Sequence, residues 1–263
     1  MPDLTGKVTL ITGGGRGIGR TLAEAFAAQG ATVAVTGRTA SALNETVDAI
    51  GAAGGKAYAH AADVADAAAV DSLVAAVTDH CGPIDILINN AGVEGSTAPI
   101  QDVDVAVWDD TIATNLRGSF LTTRAVAPHM IDRGSGHILF MSALGGGLRA
   151  YPLRVPYAVS KAALIALMQT VAAELGPHGI RVNAITPGPV RGERVDRVLR
   201  KRAQQLGTTS QEQEQALAGR MLNRRIPGPQ EVADTALFLC GPAADSIIGQ
   251  SINMTGGIEI LFQ

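Results

Sequence analysis

The sequence contains few cysteines and no pattern that would bind a metal ion. Its two cysteines, Cys81 and Cys240, show neither C-x-x-C spacing nor a disulfide framework, which favours packed thiols in a reducing compartment. None of the five histidines lies in an H-E-x-x-H pattern, and no Cys/His cluster has the spacing of metal ligands. We therefore expect chemistry that needs no metal.

The chain also has little net charge, no leader-like start and no long apolar run. The formal net charge is −3, so no general attraction to nucleic acid or to an anionic membrane is expected. Met1–Lys7 runs straight into a strand-like segment and leaves no room for a signal peptide. The most apolar long stretch, Ala162–Leu175, is too short to span a bilayer. These features predict a cytoplasmic protein with neither nucleic-acid nor membrane partners.

Short runs rich in Val and Ile alternate with helical patterns along the whole chain. Segments with apolar residues at helical spacing include Thr21–Gln29 and Val105–Ile131. This alternation predicts an α/β fold, a doubly wound parallel sheet of the Rossmann type with helices on both faces. The seven predicted strands are Val8–Ile11, Thr32–Thr36, Lys56–Ala61, Ile84–Ile88, His137–Met141, Ile180–Ile185 and Gln250–Met254.

One polar segment, residues 190–225, separates the sixth strand from a helix near Glu231. Gly207–Ser210 predicts a break between two helices within it. A connection of this length in a compact domain is more often a functional lid than a plain loop. We expect one domain over residues 1–257, with 190–225 as a substrate-binding lid. Residues 258–263 resemble the remnant of an engineered protease site and receive no functional weight.

A glycine-rich turn, Thr12–Gly19, directly follows the first strand and opens a helix. Glycines let the backbone turn sharply and approach a pyrophosphate, whose charge is bound by the amides at the helix N-terminus. Glycines also serve ordinary tight turns, but the order of strand, turn and helix favours a nucleotide site.

The spacing of these glycines, G-x-x-x-G-x-G after Thr12, resembles that of the short-chain dehydrogenase/reductase family. Further motifs of that family follow in its order, and the resemblance covers essentially the whole chain. It implies an oxidoreductase that uses a nicotinamide cofactor and assembles as a homodimer or homotetramer. These motifs are Asn89-Asn90-Ala91-Gly92, Asn115 within Thr114–Gly118, Ser142, Tyr157 through Lys161, and Pro187-Gly188.

The resemblance also implies a set of cofactor contacts. Asp63 matches the family's position beside the adenine, although alone it is equally compatible with a helix N-cap. Many relatives carry a threonine shortly after Pro187-Gly188, where this chain has Arg191–Arg194. The expected contacts are Gly13, Gly15, Arg16, Gly17, Ile18, Gly19, Arg38, Asp63, Val64, Asn90, Ala91, Gly92, Tyr157, Lys161, Pro187, Gly188 and Val190.

The end of the second strand bears on which nicotinamide is used. Relatives that prefer NAD carry an aspartate where this chain has Gly37, and Arg38 follows it. Arg38 and Arg16 together would bracket a 2′-phosphate with charge-assisted hydrogen bonds. Both are equally compatible with solvated surface arginines. We expect NADP(H) to be favoured, with NAD(H) as the alternative.

Tyr157 and Lys161 are four residues apart at the start of a helix, so their side chains share one face. A phenol is a poor base near neutrality, and a nearby ammonium stabilises the phenolate. Tyr157 would then take the alcohol proton as hydride leaves, or donate it in the reductive direction. The resemblance implies that Lys161 also binds the nicotinamide ribose.

Two further polar residues complete the predicted catalytic set. Ser142 follows the fifth strand, where its hydroxyl would hydrogen-bond the substrate oxygen and hold it for Tyr157. The resemblance makes Asn115 the anchor of a proton-relay water linked to Lys161. The segment 143–156 is longer than in many relatives, which affects the expected shape of the substrate site.

The lid is rich in arginine. Arg191 and Arg194 within it, and Arg149 and Arg154 before Tyr157, would together suit a carboxylate, sulfonate or phosphate group. The alternative is a solvated face on which Arg194 and Arg197 pair with acidic residues of their own helix.

We therefore expect a small-molecule alcohol or ketone as substrate, with an anionic group as one option. Within that class, reduction of a 3-oxoacyl carrier protein and oxidation of a small hydroxylated acid or sugar-like compound both remain open. The alternative outside catalysis is an NADP(H)-binding redox sensor, against which the intact Ser142, Tyr157 and Lys161 argue.

Overall fold

The computed structural model describes residues 1–260, which contain one parallel sheet of seven strands in the order β3-β2-β1-β4-β5-β6-β7. All neighbouring strands pair in parallel. The doubly wound sheet is thus confirmed, and the strand bounds agree with the sequence prediction to within two residues. The strands are β1 Val8–Thr12, β2 Thr32–Gly37, β3 Lys56–Ala61, β4 Ile86–Asn89, β5 Gly136–Met141, β6 Ile180–Pro187 and β7 Ser251–Met254.

Helices cover both faces of the sheet because successive strand residues point to opposite sides. Ile11 of β1 packs in one core with α1, α2 and α9, whereas Leu10 packs in the other with α3, α5 and α6. The helices are α1 Gly17–Ala28, α2 Ala40–Ala52, α3 Ala67–Cys81, α4 Val105–Ile112, α5 Gly118–Arg133, α6 Val155–Leu175, α7 Glu193–Leu206, α8 Ser210–Gly219 and α9 Pro229–Cys240.

The helix predicted over Val105–Ile131 is not a single regular α-helix. A π-helical turn, Ala113–Arg117, joins α4 to α5. Such a turn inserts one residue and is frequent at functional sites. The insertion places Asn115, which is fully buried, on the side of the helix that faces α6.

The apolar helix near the centre of the chain is longer than the sequence indicated. Val155–His178 is, by length and composition, apolar enough to cross a membrane. Its fully buried side chains Leu164 and Met168 pack into the core beneath the sheet. One face of this helix therefore packs against the sheet, and a third of its most apolar window is buried.

The lid contains two helices, α7 and α8, separated as the sequence predicts by Gly207, which has a left-handed φ of +65°. Beyond α8, Met221 and Ile226 are buried together with Ile258. Ile258, the first residue of the predicted tail, therefore packs with residues that follow α8. Residues 261–263 of the expected tail lie outside the described residues.

A buried arginine of β6 caps the C-terminal end of α9. Arg181 Nη1 donates to Leu239 O at 2.6 Å and to Ala244 O at 3.0 Å, and Nη2 donates to Gly241 O at 2.9 Å. The last carbonyls of a helix have no intrahelical donor, and a cation is favoured there by the helix dipole. Arg181 thus anchors α9 to the sheet.

We expect the substitution Arg181→Met to lower the free energy of unfolding by about 3 kcal/mol or more, because each buried carbonyl left without a donor costs roughly 1–3 kcal/mol. Chemical denaturation followed by circular dichroism measures this. Arg124 is the matched control, since it forms only an exposed ion pair with Asp71 at 3.3 Å. Arg124→Met should change stability by about 1 kcal/mol or less. Equal effects of the two substitutions would contradict the anchoring role.

Candidate active site

The glycine turn between β1 and α1 is built for close backbone approach. Gly13 has a left-handed φ of +68°, and a Cβ at Gly19 would come within 2.1 Å of the Gly13 carbonyl oxygen. Thr12 Oγ1 accepts hydrogen bonds from the amides of Asn90 and Ala91 at 3.0 and 2.9 Å. Thr12, which the sequence-based site set omitted, thus ties the turn to the loop after β4.

The start of α1 has the features that a nucleotide diphosphate requires. Its N-cap residue, Arg16, makes no side-chain hydrogen bond to the first turn. The backbone amides of Gly17 and Ile18 are therefore not capped by Arg16. Arg16 and Arg38 are exposed, and neither forms an ion pair within residues 1–260. β2 ends at Gly37 with no carboxylate. These residues fit a nicotinamide dinucleotide.

The loop after β3 contains Asp63, whose carboxylate accepts from Ala65 N at 2.9 Å. The helix cap is instead Asp66, which accepts from Ala68 N and Ala69 N at the start of α3. The N-cap alternative for Asp63 is therefore wrong. Its exposed side chain lies just beyond the carboxyl end of β3.

The remaining predicted cofactor residues also lie at the carboxyl ends of strands. Val64 is buried against Gly118, where a Cβ would come within 2.7 Å of it. Pro187 ends β6, Gly188 N donates to Met254 O at 3.0 Å, and Val190 is buried. Gly15 packs against α2. Ligands of open parallel sheets bind at this edge.

Tyr157 lies in the first turn of α6 and is only 6% exposed. Three cations surround its ring: the charged groups of Arg194, Arg154 and Lys161 lie 4.9, 5.5 and 5.9 Å from the ring centroid. The ring of Tyr151 contacts its edge, with centroids 6.4 Å apart. Tyr157 is thus buried beside three positively charged groups.

Lys161 is buried one turn further along α6, and its Nζ donates to Met141 O, at the end of β5, at 2.6 Å. Burial, and secondarily the charge of Arg194, lowers the pKa of Lys161 to about 8. Its ammonium therefore loses its proton far more readily than that of an exposed lysine.

Ser142 follows β5 and is buried, and its Oγ donates to Lys161 O at 2.8 Å. The glycine-rich loop next to it permits this packing, because a Cβ at Gly146 would come within 2.5 Å of Lys161 Cβ. The structure therefore brings Ser142 next to Lys161, with the serine hydroxyl donating to a backbone carbonyl.

Asn115 connects the π turn to α6 and to the loop after β4. Its Oδ1 accepts from Val93 N at 2.7 Å, and its Nδ2 donates to Ser160 Oγ at 2.9 Å. A Cβ at Gly92 would lie 3.2 Å from Asn115 Oδ1 and 3.5 Å from Lys161 Nζ. Glycine at this position therefore leaves the amide of Asn115 and the ammonium of Lys161 unobstructed.

Glu94, which sequence reasoning missed, is the anionic centre of the site. Its carboxylate lies 2.8 Å from Arg197, 3.2 Å from Arg194 and 3.7 Å from Arg154. The available signal was its place just beyond Gly92, at the carboxyl end of β4. The alternative, in which Arg194 and Arg197 pair with acidic residues of their own helix, is therefore wrong.

Arg154 is held in place from two sides. Its Nη2 donates to Glu94 O at 3.0 Å. The preceding residue, Leu153, has a left-handed φ of +66°, and its carbonyl accepts from Ala98 N at 2.9 Å. A left-handed non-glycine residue stores strain of about 1 kcal/mol or more. The Nε of Arg154 is buried and has no acceptor among the described residues.

The other two predicted substrate arginines have different partners. Arg149 Nη1 donates to Ile258 O at 2.9 Å, and Arg191 pairs with Glu214 of α8 at 2.5 Å. Of the four arginines, only Arg154 and Arg194 therefore meet at Tyr157. Within residues 1–260, no group of three His, Cys, Asp or Glu side chains is arranged to hold a metal ion.

Comparisons with known proteins agree with this arrangement. The family model of the short-chain dehydrogenases matches residues 7–203. The chain is 39% identical to sorbitol dehydrogenase of Cereibacter sphaeroides, over 97% of this chain and 98% of that protein.

Two crystal structures are similar over almost their whole length. A variant of actinorhodin polyketide ketoreductase with NADPH matches with a TM-score of 0.91 and 31% identity, over 97% of this chain and 98% of that chain. NAD+-bound xylitol dehydrogenase matches with a TM-score of 0.90 and 31% identity, over 97% of this chain and 99% of that chain. The protein therefore belongs to the short-chain dehydrogenase/reductase family of oxidoreductases.

Proposed function

We propose that the protein interconverts a secondary alcohol and a ketone on a small polyhydroxylated substrate, with Tyr157 as general acid/base and NADP(H) as the preferred cofactor. The observation that carries this proposal is the buried phenol of Tyr157, with three cationic groups within 4.9–5.9 Å of its ring centroid. Positive charge beside a phenol stabilises the phenolate, which is the form that accepts a proton from the substrate.

In the oxidative direction, Tyr157 takes the proton of the substrate hydroxyl. A bound nicotinamide would supply the acceptor for the hydride. Ser142 donates a hydrogen bond to the reacting oxygen and holds it beside the phenol. Lys161, buried behind the phenol, favours its ionised form and binds the ribose. Asn115 faces Lys161 across Gly92, from where a bridging water would return the proton to solvent.

The preference for NADP(H) rests on the end of β2. Gly37 leaves no carboxylate to bind a ribose 2′-hydroxyl or to repel a 2′-phosphate, and the exposed Arg16 and Arg38 supply two cations there. The two structural neighbours hold NADPH and NAD+ respectively, so both nicotinamides occur among similar proteins.

A polyhydroxylated substrate fits the rim that Glu94, Arg154 and Arg194 form beside Tyr157. Carboxylate oxygens accept from hydroxyls, and guanidinium groups donate to hydroxyl or carboxylate oxygens. The buried Nε of Arg154 needs such an acceptor. Sorbitol and xylitol dehydrogenases stand among the relatives. Since two arginines face one carboxylate here, a substrate with an acidic group is also accommodated.

Three wider features belong to the same proposal. The chain acts as one domain with residues 190–225 as its lid, and it works in the cytoplasm. It assembles as a homodimer or homotetramer, because α6 exposes a face of small and apolar residues that includes Val159, Ala162 and Ala166. Size-exclusion chromatography with light scattering measures the assembly.

The substitution Tyr157→Phe should lower kcat by about a hundredfold to ten-thousandfold, because it removes the proton acceptor but keeps the ring. Calorimetric binding of NADP+ should be retained. A variant that keeps its kcat would contradict the role of Tyr157. A wild-type protein that binds the cofactor but turns over no alcohol or ketone would instead be a redox sensor.

The substitution Arg38→Ala should lower kcat/KM for NADP+ by about tenfold to a hundredfold, because a charge-assisted hydrogen bond is worth roughly 1.5–3 kcal/mol. The value for NAD+ should change little. Lys56→Ala is the control, since Lys56 is exposed at the opposite, amino end of β3. A wild-type preference for NAD+ would contradict the proposed cofactor.

The wild type should oxidise sorbitol, gluconate or a similar polyhydroxylated compound. Arg154→Gln should raise KM for the acid by about tenfold, and for the neutral alcohol by less, because hydrogen bonds to charged groups are the stronger ones. Arg191→Gln is the control, since Arg191 pairs with Glu214. No turnover of any sugar alcohol or sugar acid would contradict this substrate class, and reduction of 3-oxoacyl thioesters would replace it.

A further inference from the structure

The lid contributes a charged group directly to the phenol of Tyr157. Arg194, in the first turn of α7, has its Nη1 3.5 Å from Tyr157 Oη. Its guanidinium also lies over the ring, 4.9 Å from the centroid, which is closer than either other cation. The hydroxyl of Tyr157 thus has a cationic neighbour supplied by α7, whereas Lys161 belongs to α6.

Glu94 fixes the position of this arginine. Its Oε1 lies 3.2 Å from Arg194 Nε, so the two ends of one guanidinium contact the carboxylate and the phenol. Arg197, one turn further along α7, also binds Oε1 at 2.8 Å but is not among the cations on the Tyr157 ring. The carboxylate therefore holds the start of α7 against the catalytic side chain.

The charged groups around Tyr157 come from four elements. Lys161 belongs to α6, Arg154 and Tyr151 to the segment before it, and Arg194 to α7. The loop after β4 supplies Glu94, which contacts the two arginines. Three cations and one carboxylate leave an excess of positive charge at the phenol.

Lys161 and Arg194 differ in how firmly they keep their charge. The buried ammonium of Lys161 donates to Met141 O, and burial lowers its pKa to about 8. A guanidinium is charged at every pH at which proteins work, and here the neighbouring Tyr157 and Glu94 raise the pKa of Arg194 further. Arg194 is therefore the cation that stays charged as the medium becomes alkaline.

We propose that Arg194 is a second catalytic cation, which stabilises the phenolate of Tyr157 through direct contact with its oxygen. This inference rests on the proposed role of Tyr157 as the general base. Arg194 exchanges no proton: the substrate O–H bond breaks and its proton goes to the Tyr157 oxygen. The C–H bond of the same carbon breaks as the C=O bond forms, and a bound nicotinamide would take the hydride. Arg194 favours the form of Tyr157 that accepts that proton.

The direct test is an ultraviolet titration of the Tyr157 phenol. The chain has three tyrosines, so the tyrosinate absorbance of a protein minus that of the same protein carrying Tyr157→Phe isolates this residue. Arg194→Gln should move the ionisation midpoint upward by about one pH unit, the low end of the effect of a nearby charge, because the pair is partly solvated. The pH at which kcat/KM for oxidation rises should move upward by the same amount.

Arg197→Gln is the matched control, since it removes a positive charge that binds the same carboxylate but lies farther from the phenol. It should leave the midpoint close to that of the wild type. Arg194→Lys, which keeps the charge, should shift the midpoint less than Arg194→Gln. Circular dichroism melting of each variant shows whether it is folded.

An unchanged midpoint in Arg194→Gln, or an equal shift in Arg197→Gln, would overturn the inference. A rise in KM without a shift of midpoint would likewise overturn it and assign Arg194 to substrate binding alone. The titration needs no substrate, so its outcome is separable from that of the proposed function. Loss of activity in Tyr157→Phe with an unmoved midpoint in Arg194→Gln would leave the function standing.

Discussion

The proposed mechanism depends on one constraint, namely that the hydroxyl of a buried tyrosine must still be able to ionise. Burial alone disfavours a phenolate, so positive charge has to be built around Tyr157. The fold supplies it from separate elements: α6 carries Lys161 on the same helical face as Tyr157, and α7 carries Arg194 to the phenol oxygen. The carbonyl of Met141, at the end of β5, holds the lysine in place.

Placing three cations close together costs free energy, and a neighbouring carboxylate reduces that cost. Like charges repel, and Arg194 contributes to the lowered pKa of Lys161. Glu94 reduces this repulsion because its carboxylate contacts Arg154 and Arg194. The left-handed Leu153, with a φ of +66°, adds backbone strain directly before the tyrosine helix. Concentrating strain and like charge at one place is typical of functional sites, where the surrounding fold stabilises them.

The fold was readable from the sequence because it depends on local patterns. The strand and helix periods, the glycine turn and the spacing of Tyr157 and Lys161 are all short-range features. The π turn at Asn115 was not predictable, since an inserted residue leaves the apolar pattern almost unchanged. Nor was the arginine cluster: Glu94 and Arg197 are about a hundred residues apart in sequence, and charge alone did not show that Arg149 and Arg191 bind elsewhere.

The central claim is that Tyr157 receives the proton of the reacting hydroxyl. It is tested most directly by the position of that hydroxyl in a crystal structure of the protein with NADP+ and a bound sugar alcohol. The account predicts that the reacting oxygen lies within hydrogen-bond distance, about 2.6–3.2 Å, of both Tyr157 Oη and Ser142 Oγ. An oxygen bonded instead to Glu94, with Tyr157 out of reach, would contradict it.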